Sequence, residues 1–224
     1  MFMNTVAIND IEHIRNMVEI GDANINEGLK TFDRLGHGFY GTVYGYKDYA
    51  IKYFRYGMDS FSKDIEMLVR LQHIKHVPRL YEVIDNKAIV ISRVRGYTIH
   101  KYMANVESKR IDNFVSPRFN IEYKKALQDI MKAGIHPADL HNENVMIEEA
   151  TGLPVIVDLG EFRDESFSDA SIENLDYIGH RDTYDEVIVP MEKYINDTYI
   201  QEAKQYKEML MERMDLMGGI ANIY

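Results

Sequence analysis

Cysteine is absent from the 224 residues, which excludes disulfides, thiolate metal sites and a thiol nucleophile. Tryptophan is absent too, and the sixteen tyrosines carry no functional meaning by number alone. Basic residues are in the minority: 26 Lys and Arg against 36 Asp and Glu leave a net charge of −10. A surface of that sign repels a phosphate backbone, so nucleic acid is not an expected partner. A cleft can still hold a phosphorylated ligand where a lysine and a cation reverse the local field. No apolar run is long enough to span a bilayer, and the first twenty residues lack the basic start and apolar stretch of a secretion signal. No membrane partner and a cytoplasmic location are therefore expected. Linkers rich in Pro, Gly or Ser, repeats and low-complexity tracts are missing as well.

What is present is 46% hydrophobic residues, enough for a sizeable core in one domain or two small lobes sharing a cleft. Ile11, Ile14 and Val18 recur at helical spacing, predicting a helix over 9–20 with Asp10 as its cap. Short aromatic and β-branched runs at 31–35, 42–46 and 49–54, separated by glycines, predict antiparallel strands. A helix is expected over 60–73, with Ile65, Leu68, Val69 and Leu71 on its apolar side, then strands at 79–84 and 87–94. Beyond Gly96 the pattern becomes mostly helical: a helix over 120–133 ends at Gly134, and helix resumes after Arg181. Within that part, 144–147 and 154–157 read as a small hairpin. Strands first and helices after predict an α+β chain with a helical extension over 1–30, a strand-rich lobe over 31–94 and a helical lobe over 95–224.

Four stretches carry chemistry. Gly36, Gly38 and Gly41, in the run GHGFYG, let a strand-turn-strand bring its N–H groups close to phosphate oxygens. A dinucleotide site would need a long helix after this motif, and Val43, Tyr44 and Tyr46 instead continue as strand. Lys52, in Ala50-Ile51-Lys52, follows Gly41 by 11 residues (52 − 41) and can reach phosphates beneath the turn. Such a lysine needs an acid partner; position favours Asp64, residue type favours Glu66, and Glu66 is preferred. Asp139 and Asn144 lie five residues apart on a loop, where a carboxylate can accept a hydroxyl proton and an amide oxygen can bind magnesium. Asp158 ends the apolar run Val155-Ile156-Val157 and precedes Leu159-Gly160, placing a second carboxylate where it can hold a metal.

The ordered set GHGFYG, AIK, DLHNEN and DLG, spanning Leu35 to Gly160, resembles the protein-kinase superfamily. The resemblance implies a bilobal kinase-like fold with an antiparallel-sheet N-lobe and a truncated helical C-lobe, and ATP and Mg2+ as cofactors. It makes Asp139 the catalytic base, Lys52 the phosphate anchor, and Asn144 and Asp158 the metal ligands. Gly36, Gly38 and Gly41 would cover the phosphates with Tyr40 at the tip. Val43 and Ala50 would be cofactor-binding, Ile91 would lie at the back of the adenine pocket, and Ser92 to Val94 would form the hinge that reads the base.

The sequence also departs from that family. His136-Pro137-Ala138 replaces the usual His-Arg before Asp139, removing the arginine that answers a phosphorylated activation loop. His180-Arg181-Asp182 spells the missing motif but follows Asp158 and lacks a later Asn; Asp182 is expected instead to begin a helix and brace the catalytic loop. Only residues 161–181 separate DLG from that helix, and Pro190-Met191-Glu192 is too late to be the usual docking motif, so the docking region looks trimmed, as in minimal bacterial, phage or effector kinases. That origin would extend the expected location to a host cytoplasm. The leading expectation is a kinase of protein Ser/Thr hydroxyls, with an activating protein partner as a further expectation. His141, where protein kinases carry lysine, resembles the small-molecule kinases of the aminoglycoside phosphotransferase type. A pseudokinase acting by contact is the third alternative.

Overall fold

The computed structural model describes residues 5–20, 27–38, 40–55, 63–85, 87–107, 115–165 and 183–195, and the statements below concern these. Five strands, β1 (Asp33–His37), β2 (Gly41–Tyr46), β3 (Tyr49–Phe54), β4 (Leu80–Ile84) and β5 (Ala88–Ser92), form one sheet in the order β1-β2-β3-β5-β4. Each neighbouring pair is antiparallel. Alternation along the strands divides their side chains between two faces. Val43, Ala50, Phe54, Ile89 and Ile91 join the main core, whereas Tyr44, Tyr49, Ile51, Ala88 and Val90 join a second cluster on the opposite face.

Helix α1 (Thr5–Ile20) covers that second face, burying Ile11, Ile14 and Val18 against it. The helix starts earlier than its apolar spacing predicts, so Asp10 is an interior residue and not a cap. Its buried carboxylate accepts a hydrogen bond from the Lys47 ammonium at the β2–β3 turn. The described part of the next helix, α2 (Asp64–Arg70), is shorter than expected, and residues 56–62 lie outside the description. Met67, Leu68 and the following Leu71 are buried, but Val69, expected on the apolar side, is exposed.

After β5 a short connection, 93–95, leads to β6 (Gly96–Thr98), α3 (Ile99–Glu107), α4 (Phe119–Lys132), β7 (Ile135–His136), β8 (Val145–Glu148), β9 (Pro154–Ile156) and β10 (Arg163–Asp164). The expected β8–β9 hairpin is present, and β6 extends it to three strands from a segment that reads as helical in sequence. Gly96 explains the close pairing: its φ is +141° and a Cβ there would lie 2.0 Å from the Ile147 carbonyl oxygen. Helix α4 buries Phe119, Tyr123, Ala126, Leu127, Ile130 and Met131 on one side and stops before Gly134, whose φ of +74° supplies the left-handed residue that ends many helices. The last described helix, α5, is π-helical over Thr183–Ile188 and runs on as α-helix over 189–195, so Pro190 to Glu192 are helical as expected. The architecture is α+β, an antiparallel sheet region followed by a mainly helical one, compatible with two lobes. A single apolar core runs between them, joining Phe54 and Met67 to Leu127, Ile156 and Leu159.

Candidate active site

Lys52 points to the core-facing side of the sheet, in a cross-strand row with Val43 and Ile89; Ala50 and Ile91 share the neighbouring row with Gly45. Its ammonium lies 2.7 Å from Asp64 Oδ2 and 3.0 Å from Asp158 Oδ1. Asp64, not the preferred Glu66, is therefore the acid that meets Lys52. Residues 64 and 66 point about 200° apart on a helix, and α2 turns position 64 inward. The Asp64 side chain is 4% exposed, while that of Glu66 is 51% exposed and pairs with Arg70. Burial alone pulls the lysine's pKa down, but attraction to Asp64 and Asp158 prevails and pushes it up to about 12. Asp64 Oδ1 also accepts from the Leu159 N–H at 3.4 Å, and the Lys63 N–H donates to the Gly160 carbonyl at 3.1 Å. These bonds tie α2 to the segment that follows Asp158.

Asn144 and Asp158 stand at the same end of the β8–β9 hairpin, where the Val157 N–H donates to the Asn144 carbonyl at 2.9 Å. The Asn144 side-chain amide donates to the Asp139 carbonyl at 2.8 Å and to Asp139 Oδ2 at 3.2 Å. With the NH2 so used, the Asn144 Oδ1 remains as an acceptor. Asp139 itself adopts φ +57°, a left-handed conformation that Asp tolerates better than most residues. Burial raises its carboxyl pKa above the usual range; nearby His141 opposes the rise, Asp158 and Glu161 add to it, and the Asn144 hydrogen bond opposes it. A raised pKa makes a carboxylate a better proton acceptor. The ring of His141 lies 3.8 Å from Asp139 Oδ1.

The glycine turn joins β1 to β2, with the Gly38 N–H donating to the Gly41 carbonyl at 2.9 Å. Gly36 and Gly38 differ from Gly41 in why they are glycine. A Cβ on Gly41 would sit 2.0 Å from the Tyr53 carbonyl, whereas nothing lies within 4 Å of one on Gly36 or Gly38. The fold demands the first; the other two leave open space beside the backbone. Tyr40, at the tip, donates its hydroxyl to the Glu161 carboxylate. Along the expected hinge, the Ser92 N–H donates to Arg79 and the Arg93 N–H to Asp48, so Val94 carries the N–H of the three not bonded to a carbonyl among the described residues.

Sequence reasoning placed the brace of the catalytic loop on Asp182, which, with His180 and Arg181, lies outside the described residues. Two neighbours hold that loop. The buried Thr183 hydroxyl donates to the Leu140 carbonyl at 3.2 Å, and Glu186 Oε2 accepts from the Asn142 N–H at 3.4 Å. The polar pattern T-x-x-E at the start of a helix was their only sequence signal. His136, three residues before Asp139, is buried and lies 3.0 Å from Glu165.

No cluster of three or more His, Asp or Glu side chains suited to a metal occurs among the described residues. Asp158 and the Asn144 amide, at the same end of the β8–β9 hairpin, offer hard oxygen donors in small number. Such donors suit a hard cation that keeps most of its waters better than a metal needing a full protein cage. Two surface hollows, of about 460 and 430 Å3, lie elsewhere, one beside His73, His76 and α4, the other beside Pro117 and Ile195. No helix among the described residues is long and apolar enough to cross a membrane. No protein-family model matches the sequence, and a search of curated proteins finds no match.

Proposed function

We propose that this chain is an ATP- and Mg2+-dependent phosphotransferase with a protein-kinase-like fold, acting on Ser or Thr hydroxyls of a protein. The observation that carries the reading is that the Lys52 ammonium bonds Asp158, whose charge in turn acts on the Asp139–Asn144 pair, so that three separate stretches of chain contribute to one place. Lys52 would bind the α- and β-phosphates, oriented by Asp64 at its rear. Val43, Ala50 and Ile91 would sandwich the base, with the Val94 N–H reading its edge. Asp158 and the Asn144 oxygen would hold Mg2+, which when bound neutralises charge on the phosphates. Asp139 would orient the acceptor hydroxyl and take its proton as the γ-phosphoryl group transfers. The rate enhancement then comes from positioning and charge stabilisation.

Incubation of cell lysate with the chain, labelled ATP and magnesium should label protein, and Asp139→Ala should abolish labelling while nucleotide binding persists. Absence of labelling and of ATP-dependent thermal stabilisation, with any divalent metal, would refute the reading. His141 beside Asp139 favours a second reading, transfer to a small molecule, which ADP release across a panel of aminoglycosides and other hydroxyl compounds separates from the first.

A further inference from the structure

The glycine turn and the segment after Asp158 are joined by one side-chain hydrogen bond between residues 121 positions apart, from the Tyr40 hydroxyl to the Glu161 carboxylate. Both ends rest on fixed supports. The Tyr40 carbonyl accepts from the Arg55 N–H at 2.9 Å, and the turn is closed by the Gly38–Gly41 bond. Glu161 is exposed between Gly160 and Phe162, both buried, in a turn closed by the Phe162 N–H to Leu159 carbonyl bond at 3.1 Å. The Glu161 hydrogen bond, with burial and the charges of Glu161, Asp158 and Asp139, pushes the phenol pKa to about 12. The hydroxyl therefore remains a donor at any physiological pH and sits in the field of the carboxylates that define the site.

We propose that the Tyr40–Glu161 hydrogen bond is a latch that holds the glycine turn down on the Asp158 segment and must open before a nucleotide is admitted. The inference rests on the reading of the cleft as a nucleotide site. Phosphates bound under Gly36 and Gly38 would have to pass between the turn and Asp158, across the line that this bond closes. Glu161 adds a third negative charge beside Asp139 and Asp158, so an arriving triphosphate meets repulsion as well as a closed turn. Opening the latch lifts the tip from Glu161 while Lys52 keeps its two carboxylate partners, so the anchor is preserved as the cover moves.

The test uses the full chain and Tyr40→Phe, Glu161→Ala and the double variant. Stopped-flow association of a fluorescent ATP analogue with Mg2+ gives the admission rate, and hydrogen–deuterium exchange of residues 36–42 without nucleotide reports on the turn. Loss of one charge-assisted hydrogen bond predicts that Tyr40→Phe raises both by roughly tenfold. Glu161→Ala should raise exchange equally and association further, because it also removes a repelling charge, and the double variant should match Glu161→Ala, since both substitutions remove the same bond. Binding by the variants but not by the parent also supports the latch. Normal binding by the parent, with association and exchange unchanged in both variants or additive in the double, overturns the latch alone. Failure of parent and variants alike to bind nucleotide overturns the phosphotransferase reading and the latch with it.

Discussion

Replacing Lys52 with methionine keeps the side-chain length and removes the ammonium from between two carboxylates. At an effective dielectric of about 20, contacts of 2.7 and 3.0 Å correspond to about 6 and about 5.5 kcal/mol of attraction. The Asp158 contact is reduced by solvent, since that side chain is 35% exposed, and is worth about 1 kcal/mol. The Asp64 contact is buried on both sides, and several kcal/mol of ammonium desolvation are recovered when the charge is deleted. What remains is a buried carboxylate that has lost its cation while keeping the Leu159 N–H bond, a situation that costs about 3–5 kcal/mol. For a chain of this size that lowers the thermal midpoint by roughly 10 °C. Lys52→Met with Asp64→Leu, which removes both charges, should recover most of the stability and none of the activity. Urea denaturation followed by tyrosine fluorescence measures the first effect, and ADP release, expected to fall about 10²–10³-fold, measures the second. A Lys52→Met chain as stable as the parent would refute the structural part, and full ADP release would refute the catalytic part.

Three further outcomes follow from the same geometry. Activity should require ionised Asp139: it is present above the carboxyl pKa and lost as pH falls through it, and because burial raises that pKa the acid limb should lie above the ordinary aspartate range; a limb at or below that range would contradict the site. Gly36→Ala and Gly38→Ala should leave stability within about 0.5 kcal/mol while weakening nucleotide binding, whereas Gly41→Ala, colliding with the Tyr53 carbonyl, should destabilise by about 1–3 kcal/mol in the same denaturation assay. Thr183→Val strips the Leu140 carbonyl of a buried donor and should cost about 1–3 kcal/mol, with kcat falling more than KM rises if the loop carrying Asp139 loses its brace.

Spacing along the chain determined much of this protein. Aromatic and β-branched runs separated by glycines announced the five strands, and the glycine turn, Lys52, Asp139, Asn144 and Asp158 stood out in sequence as motif residues at fixed offsets from a strand or turn. Which acid meets Lys52 was not legible. Asp64 and Glu66 are both acidic and two residues apart, and only the rotation of α2, set by Met67 and Leu68 entering the core, turns one inward and the other to solvent. Strand β6 escaped for a similar reason: the three residues Gly96–Thr98 have no period of their own and become a strand only because β8 is there to pair with. Asp10, Thr183 and the Tyr40–Glu161 bond belong to the same class. Local sequence sets how a segment repeats, but a polar side chain's partner is chosen by whichever distant backbone or carboxylate the packed core brings within hydrogen-bonding reach.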